Sequence, residues 1–499
     1  MHDIQHIIVQ AGGRGSRLRH HTWNKPKCLV SVNGKPILYH LFDKYPNCTF
    51  HIIGDYLFDQ LENYLTVNTP SIKYHLYKSN VSGTTSGINL VTENINGSCL
   101  IVWGDLILSE QLSIDSDIPC LITTDKFTCR YTIKNNKIVE EASNTNGVAG
   151  LYYFPNVTYL SNIEDGQEFA EWYAKNIIEF NTYQTDQLEE LGDFSKIELK
   201  NDTDGFARFF NEVKISDSTV TKRAIDKDYE HLIRKEQVWY SDVSKLGFTR
   251  IPNILSTEPY TMSRIMGKHA YQMQDLTNRE KRSIIADYLE SLSSLHKTDT
   301  RPANLDDIVD TYISKTISRV FSVSKIIPNF NKEVITINGL KCKNIFANGY
   351  QIHDLLDTLN VEYFYPIHGD PTFSNSLVDD NLKVWYIDPR GYFGNSIVYG
   401  DKYYDFAKLY YSAVGNYDSF NRRKFKLYID NDTVEILLPE TNFENSAEEV
   451  FNNYLGKDLQ RIKIIHGLLW LSLSGYVKDD IDSIIGSFYN GLYWLEKAL

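Results

Sequence analysis

Cysteine is scarce in this 499-residue chain: Cys28, Cys48, Cys99, Cys120, Cys129 and Cys342 stand singly, with no C-x-x-C pair. That spacing argues against a zinc-binding scaffold and a disulfide framework and points to a reducing compartment. Long apolar runs are missing as well. The longest near the end, GLLWLSLSGYV, falls well short of the roughly 20 residues that a membrane-spanning helix needs, so no span is expected. Basic charge is in deficit, with a formal net charge of -13 and a pI near 5.5. A nucleic-acid binder carries a broad basic face; none is expected here, and phosphate binding has to come from local clusters. The opening residues, MHDIQHIIVQAGG, run from a short strand into a glycine loop without the basic, apolar and cleavage regions of a leader, and a cytoplasmic protein is expected. No repeat and no low-complexity segment interrupts the chain.

What is present is globular material, 42% hydrophobic and 13% aromatic. The length predicts roughly two to four domains. The most informative stretch is Ile367 to Gly391, IHGDPTFSNSLVDDNLKVWYIDPRG. Asp370 and Asn375 share a short loop, and Asp388 ends the following β-run LKVWYID. A strand-ended carboxylate facing such a loop can hold Mg²⁺ on an ATP tail while Asp370 orients an acceptor hydroxyl. Taken alone, HGD and IDP are also ordinary turn signals.

The spacing resembles that of the aminoglycoside phosphotransferase and choline kinase families, whose loop reads His-Gly-Asp-x4-Asn and whose next strand ends in Ile-Asp. The resemblance implies a bilobal, protein-kinase-like α+β domain over 205–499, with a small lobe at 205–267 and a large lobe at 268–499. In it Asp370 is catalytic, and Asn375 and Asp388 are Mg²⁺ ligands. RFFNEVKISDSTVTKRAI reads as two short strands joined at Ser216-Asp217-Ser218. Lys222 matches the strand lysine that reaches ATP phosphates, with Lys214 as its competitor and Glu236 as the helix partner. The turn has no glycine, a departure from the family's phosphate lid. PYTMSRIMG is similar to the strand leading between lobes, and Arg279–Lys297 to the first large-lobe helix. Asp401 and Asp405 of GDKYYD match a bracing element, Asp405 as a helix cap. Arg390, two residues after Asp388, is placed to meet a phosphate, an acidic acceptor or a buried salt-bridge partner.

At the other end, Ile4 to Gln10 is a short apolar run that enters Ala-Gly-Gly-Arg-Gly-Ser-Arg-Leu, a junction that presents backbone N–H groups to phosphate. Between Arg14 and Lys27 come Arg14, Arg17, Arg19, Lys25 and Lys27 with no acid, a cluster of triphosphate size. A dinucleotide-binding Rossmann motif is the rival reading of the glycines. The continuation RLRHHTWNKPKCLVSVNGKPIL resembles the signature of the sugar-phosphate nucleotidyltransferases. The resemblance implies a Rossmann-like domain with a mostly parallel sheet over 1–204. Ala11, Gly12, Gly13 and Gly15 would bind nucleotide, with Gly83 in the loop GTTSG, while Arg17 and Lys27 would act on the reacting phosphates. Asp105, ending LIVWGD, matches the family's Mg²⁺-binding carboxylate. The second ligand falls to Glu190 or Asp193, since EELGDF stands where the family has Asp-x-Gly-Thr.

Together the resemblances imply a bifunctional enzyme. It would phosphorylate a sugar, polyol or amino alcohol with ATP, then join the phosphomonoester to a nucleotide from a second triphosphate, with Mg²⁺ at both sites. The short first domain is similar to phosphocholine cytidylyltransferases, which favours CTP. The products of such enzymes feed surface polysaccharide or lipid decoration. Two alternatives stand beside this: a nucleotidyltransferase whose second half only binds, and a regulatory or scaffolding protein that binds nucleotides without turnover. Nothing in the sequence bears on oligomeric state.

Overall fold

The computed structural model describes residues 4–203, 211–347, 351–439 and 443–499. The chain is mixed α/β and divides into two compact units, Met1–Thr203 with Lys478–Asp482, and Asp204–Val477 with Ser483–Leu499. The domain boundary expected at 204/205, and the Arg-Phe-Phe that opens the predicted strand pair, lie outside the described residues. Among the described residues no helix is long and apolar enough to cross a membrane. All six cysteines are buried free thiols.

In the first unit His6–Gln10 (β1), Thr49–Gly54 (β2), Lys73–Lys78 (β3), Cys99–Trp103 (β4), Cys120–Thr124 (β5), Cys129–Lys134 (β6), Lys137–Ser143 (β7), Gly147–Phe154 (β8) and Asn181–Gln184 (β9) form one nine-stranded sheet. Its order is β7-β6-β8-β4-β1-β2-β3, with β5 paired to β8 and β9. The pairings β4-β1-β2-β3 are parallel, with Val9 facing Ile52 on one side and Val102 on the other. β8 runs antiparallel to β4, β5 and β6, and β7 to β6. The sheet is thus parallel in the half that carries the loops described below and antiparallel in most of the rest.

The central strands show why. Ile7, Ile8 and Val9 of β1 and Leu100, Ile101 and Val102 of β4 are all buried, the continuous apolar run of parallel strands covered on both faces. Each such side chain contributes roughly 1.5–3 kcal/mol of burial. From β1 the chain steps one way to β2 and β3, then returns to β4 on the other side. The strand order reverses at β1, which leaves a crevice at the carboxyl ends of β1 and β4.

The second unit opens with a four-stranded antiparallel sheet in the order Asn211–Ile215, Thr219–Ala224, Tyr260–Ser263, Ile254–Thr257. The helix Glu230–Lys245 follows the first hairpin and buries Trp239, whose Nε1 donates to the Ile367 carbonyl at 2.6 Å. Helix Asn278–His296 starts at a reciprocal cap: Thr277 Oγ1 accepts from Glu280 N, and Glu280 Oε2 accepts from Thr277 N at 2.8 Å. A second four-stranded sheet comprises Leu340–Lys343, Val334–Ile337, Thr433–Leu437 and Lys426–Asp430 in that order. Helices Lys402–Ala413, Glu444–Leu455 and Leu459–Ser474 complete the part of this unit that bears on its site.

Candidate active sites

In the first unit a cleft of about 410 Å³ opens at the ends of β1 and β4. Its floor is the turn after β1, with Ala11, Gly12, Gly13 and Arg14, and its far wall is Trp103, Gly104 and Asp105 after β4. Backbone bonds set this geometry: Ala11 N donates to the Ile53 carbonyl at 2.8 Å and Gly104 N to the Gln10 carbonyl at 3.0 Å. Gly15 begins the next turn at φ 61°, a left-handed conformation that costs glycine little, and a Cβ there would crowd Thr22 and Lys27 at 3.1 and 3.2 Å. Gly83 has φ 130°, and a Cβ there would lie 2.8 Å from the Gly166 backbone. The small-residue loop is latched to that neighbour. Thr84 Oγ1 donates to Glu168 Oε1 at 3.0 Å and accepts from Phe169 N at 2.7 Å, while Gly87 N donates to Asp165.

Lys27 Nζ forms an ion pair with the Asp105 carboxylate, both side chains largely buried. Strand Leu188–Glu190 lies antiparallel to Leu106–Leu108, Leu191 N donates to the Asp105 carbonyl, and Glu190 is thereby carried alongside Asp105. Glu190 also takes Lys196 Nζ at 2.8 Å and lies 3.5 Å from Arg17 Nη2. Asp193 is oriented differently: it accepts from Ser195 N and Oγ, and these bonds hold its exposed carboxyl below the ordinary value.

The five-cation cluster expected from the sequence does not assemble. Lys25 is buried, its Nζ 2.8 Å from Asp480 Oδ1 and paired also with Asp482. Asn24 and Ser31 bond to Asp482 and Asp479 of the same acidic segment at 2.9 Å. Arg19 lays its guanidinium on the Phe194 ring at 4.7 Å. Arg14 and Lys27 line the cleft, and Arg17 stands at Glu190. The acids near the end of the chain gave no sign in the sequence of being partners for a lysine 455 positions earlier.

In the second unit Lys222, on strand Thr219–Ala224, reaches Glu236 Oε1 at 2.7 Å and the Asp388 carboxylate. Burial alone would depress its ammonium, but Asp388 and Glu236 outweigh that and raise it. Lys214 instead carries an exposed side chain 3.7 Å from Glu212. Asp388 has φ 54° and follows the strand Val384–Tyr386 by two residues. Asn375 Nδ2 donates to the carbonyl and to Oδ2 of Asp370, at 2.9 and 2.8 Å. Lys408 Nζ lies 2.9 Å from Asp370 Oδ1. Beneath this loop, buried Asp405 accepts from His368 N at 2.9 Å, Gly369 N at 2.7 Å and His296 Nε2 at 3.0 Å. Asp401 caps helix Lys402–Ala413 through Tyr403 N and takes the Tyr312 hydroxyl at 2.8 Å. The structure therefore brings Lys222, Glu236 and Asp388 together, and Asp370 and Asn375 together. The sequence reading missed Lys408, which was legible only as three residues after Asp405, one turn along the helix from the residue that braces the loop.

Mg²⁺ takes oxygen donors, and the residues expected to hold it carry them: the carboxylates of Asp105 and Glu190 in the first unit, the Asn375 amide oxygen and the Asp388 carboxylate in the second. In each, a lysine ammonium already sits on the strand-end carboxylate, so the donor sets are ones that gather positive charge.

No protein-family model matches the chain. Part of it is nonetheless similar to nucleotidyltransferases. Over 107 residues it is 30% identical to the bifunctional protein GlmU of Methanocaldococcus jannaschii, 21% of this chain and 26% of that protein. Over 37 residues it is 57% identical to the UTP–glucose-1-phosphate uridylyltransferase AglF of Haloferax volcanii, 7% of this chain and 15% of that one. The chain spans about a quarter of the length of the GlmU relative and less of AglF. Among solved structures, CTP:phosphocholine cytidylyltransferase from Streptococcus pneumoniae is 17% identical, covering 39% of this chain and 96% of that one, with a TM-score of 0.32.

Proposed function

We propose that the first unit is a nucleotidyltransferase that joins a small phosphomonoester to a nucleoside monophosphate. The observation that carries this reading is the facing of the β1 glycine turn and Asp105 across one cleft, with Lys27 on the carboxylate and Glu190 beside it. A phosphate oxygen of the substrate attacks the α-phosphorus of the triphosphate, the bond from that phosphorus to the bridging oxygen breaks, and pyrophosphate leaves. The turn's N–H groups and Gly83 position the nucleotide, and Arg14, Arg17 and Lys27 neutralise the charge that builds on the phosphates. Mg²⁺ on Asp105, with Glu190 as second ligand ahead of Asp193, would supply further charge neutralisation at the α-phosphate. CTP is the proposed nucleotide, in line with the short first unit.

We propose further that the second unit is a bilobal, kinase-like domain that makes the phosphomonoester. The acceptor hydroxyl attacks the γ-phosphorus of ATP, its proton passes to Asp370, and ADP leaves with the electrons of the broken bond. Lys222, held by Glu236, reaches the ATP phosphates, while Asn375 and Asp388 would hold Mg²⁺ there. The support is the Lys222–Glu236–Asp388 constellation and the Asp370–Asn375 bond. We infer that both sites act on small molecules, as successive steps in making an activated donor for surface polysaccharide or lipid decoration. The glycine-free turn at Ser216-Asp217-Ser218 favours the second reading, in which this unit binds without transferring.

The test is a mass-spectrometric screen of the purified chain with Mg²⁺, ATP, the common nucleoside triphosphates and a pool of sugars, polyols, hydroxy acids and amino alcohols. A product with the mass of acceptor plus phosphate plus nucleoside monophosphate is expected. Turnover of ready-made phosphomonoesters only would leave the nucleotidyltransferase and remove the kinase; no pyrophosphate and no ADP with any acceptor would remove both.

A further inference from the structure

The stretch between the helix Asn278–His296 and the Asp370 loop carries no motif, yet it delivers cations to that loop. Helix Lys315–Ser322 follows a π-helical segment, Val309–Ser314, an irregularity that often marks functional positions. Lys315 and Arg319 are four residues apart and so share one face of that helix. The charged neighbours of Lys315 are Arg390, Arg319 and Lys408, with Asp310 the weaker opposing charge. Burial and these three cations push the Lys315 ammonium down to about 6. Its amine makes no hydrogen bond and no ion pair among the described residues.

Neither arginine of the cluster forms an ion pair among the described residues. Arg390 Nη1 donates to the Tyr404 hydroxyl at 2.9 Å and its guanidinium stacks on Tyr392 at 4.3 Å, but its buried Nε has no partner. Arg319 spends one nitrogen on Ser472 Oγ at 2.9 Å and stacks on Tyr476. Lys408 joins the cluster to Asp370 itself, 2.9 Å away. Three cations and the Lys315 amine thus gather with Asp370 and Asp310. Uncompensated, partly desolvated positive charge is costly to fold, and a partner anion relieves that cost.

We propose that the acceptor phosphorylated in the second unit carries an oxyanion, a carboxylate or a phosphate, which seats on Lys315, Arg319 and Arg390 and presents its hydroxyl to Asp370. This rests on the kinase reading of that unit. Guanidinium and ammonium groups arranged with Tyr404 and Tyr392 suit a planar carboxylate or a phosphate. They repel a quaternary ammonium, which needs an aromatic cage without cations. The acceptor class narrows from sugars, polyols and amino alcohols to hydroxy acids and sugar phosphates. The final product is then an acid linked to a nucleotide.

The experiment is calorimetric binding of four matched probe sets to the full chain, with ATP-dependent ADP release measured on the same probes. These are D-glycerate and gluconate, glycerol 3-phosphate and glucose 6-phosphate, glycerol and glucose, and choline. At least one oxyanion set is expected to bind tenfold or more tighter than its neutral counterpart, and which set does so names carboxylate or phosphate. At pH 7.5 binding should take up protons, read as a buffer-dependent heat, because the anion restores the charge on Lys315. Lys315→Met and Arg319→Gln should each weaken oxyanion binding at least tenfold. Lys315→Arg should retain most of it, and Lys325→Met, an exposed lysine of the same segment, should bind as wild type. Equal or tighter binding of glycerol, glucose or choline overturns the proposal, as does unchanged oxyanion binding in a folded Lys315→Met. An oxyanion that binds and is never phosphorylated overturns the kinase reading alone. Phosphorylation of neutral alcohols in preference overturns this inference and leaves the kinase reading standing.

Discussion

Both units set a lysine on a carboxylate two residues past the end of a strand: Lys27 on Asp105 after β4, and Lys222 on Asp388 after Val384–Tyr386. They assemble that pair from different materials. In the first unit Asp105 comes from the turn after β4 and Lys27 opens the short 3-10 helix Lys27–Leu29, and the wall includes the glycine turn after β1. In the second the pair is made by side chains from a strand, a helix and a distant loop, braced underneath by Asp405. The first design needs glycines at close approaches and tolerates little substitution in a short stretch. The second needs a few side chains spread over nearly two hundred positions and constrains little between them.

The comparison breaks most sharply at the two carboxylates. Asp370→Asn is expected to lower ATP-dependent phosphorylation by about a thousandfold while pyrophosphate release from a ready-made phosphomonoester stays intact, and Asp105→Asn the reverse. Parallel loss of both activities in either variant would mean that the two sites are not separate. Next in size is a stability effect. Lys25→Met leaves Asp480 and Asp482 buried without their cation, and urea unfolding should show a loss of about 3–5 kcal/mol in the first unit. Exposed pairs such as Lys134–Glu141 should give under about 1 kcal/mol by the same measurement.

A finer cut distinguishes the carboxylates of the first site. Glu190→Gln is expected to cost about 10- to 100-fold in kcat/KM for pyrophosphate release, and Asp193→Asn less than about twofold, since Asp193 is occupied with Ser195. A further stability effect belongs to Lys315. Its folded-state value, about 6, lies below that of an unfolded lysine, so its penalty on stability is full below pH 6 and fades as the pH rises toward the ordinary lysine range. Lys315→Met should therefore raise the Tm near pH 7 by roughly 2–4 °C, with a smaller gain at pH 9.5. A fall in Tm would mean that the amine is already paired.

What the sequence made legible follows the same division. The glycine turn, Lys27 and Asp105 lie in runs whose neighbours restrict each other, so a short stretch sufficed to read strand, turn and cleft wall. The hairpin Asn211–Ile215 and Thr219–Ala224, the helix around Glu236 and the helix Asn278–His296 were likewise readable from alternation and helical spacing. The fate of Lys25 was not, because a lysine in a basic run looks like its neighbours until the acids that bury it are known. Nor was the antiparallel half of the first sheet: short apolar runs carry no mark of direction. Lys315 and Arg319 were invisible for a third reason, since only the packing of a motif-free segment shows which of its many cations lack an anionic partner.

The six buried thiols have a practical consequence. Burial pushes Cys28, Cys99 and Cys342 up to about 12 and Cys120 and Cys129 up to about 11, so these five thiols are nearly inert to alkylating reagents at neutral pH in the folded chain. Cys28, which lies against the nucleotide cleft with its Sγ toward the Ala11 carbonyl, is thereby a built-in clock for that turn. The rate at which it becomes labelled reports how often the turn swings open, and nucleotide that fills the cleft should slow the clock without any engineered probe.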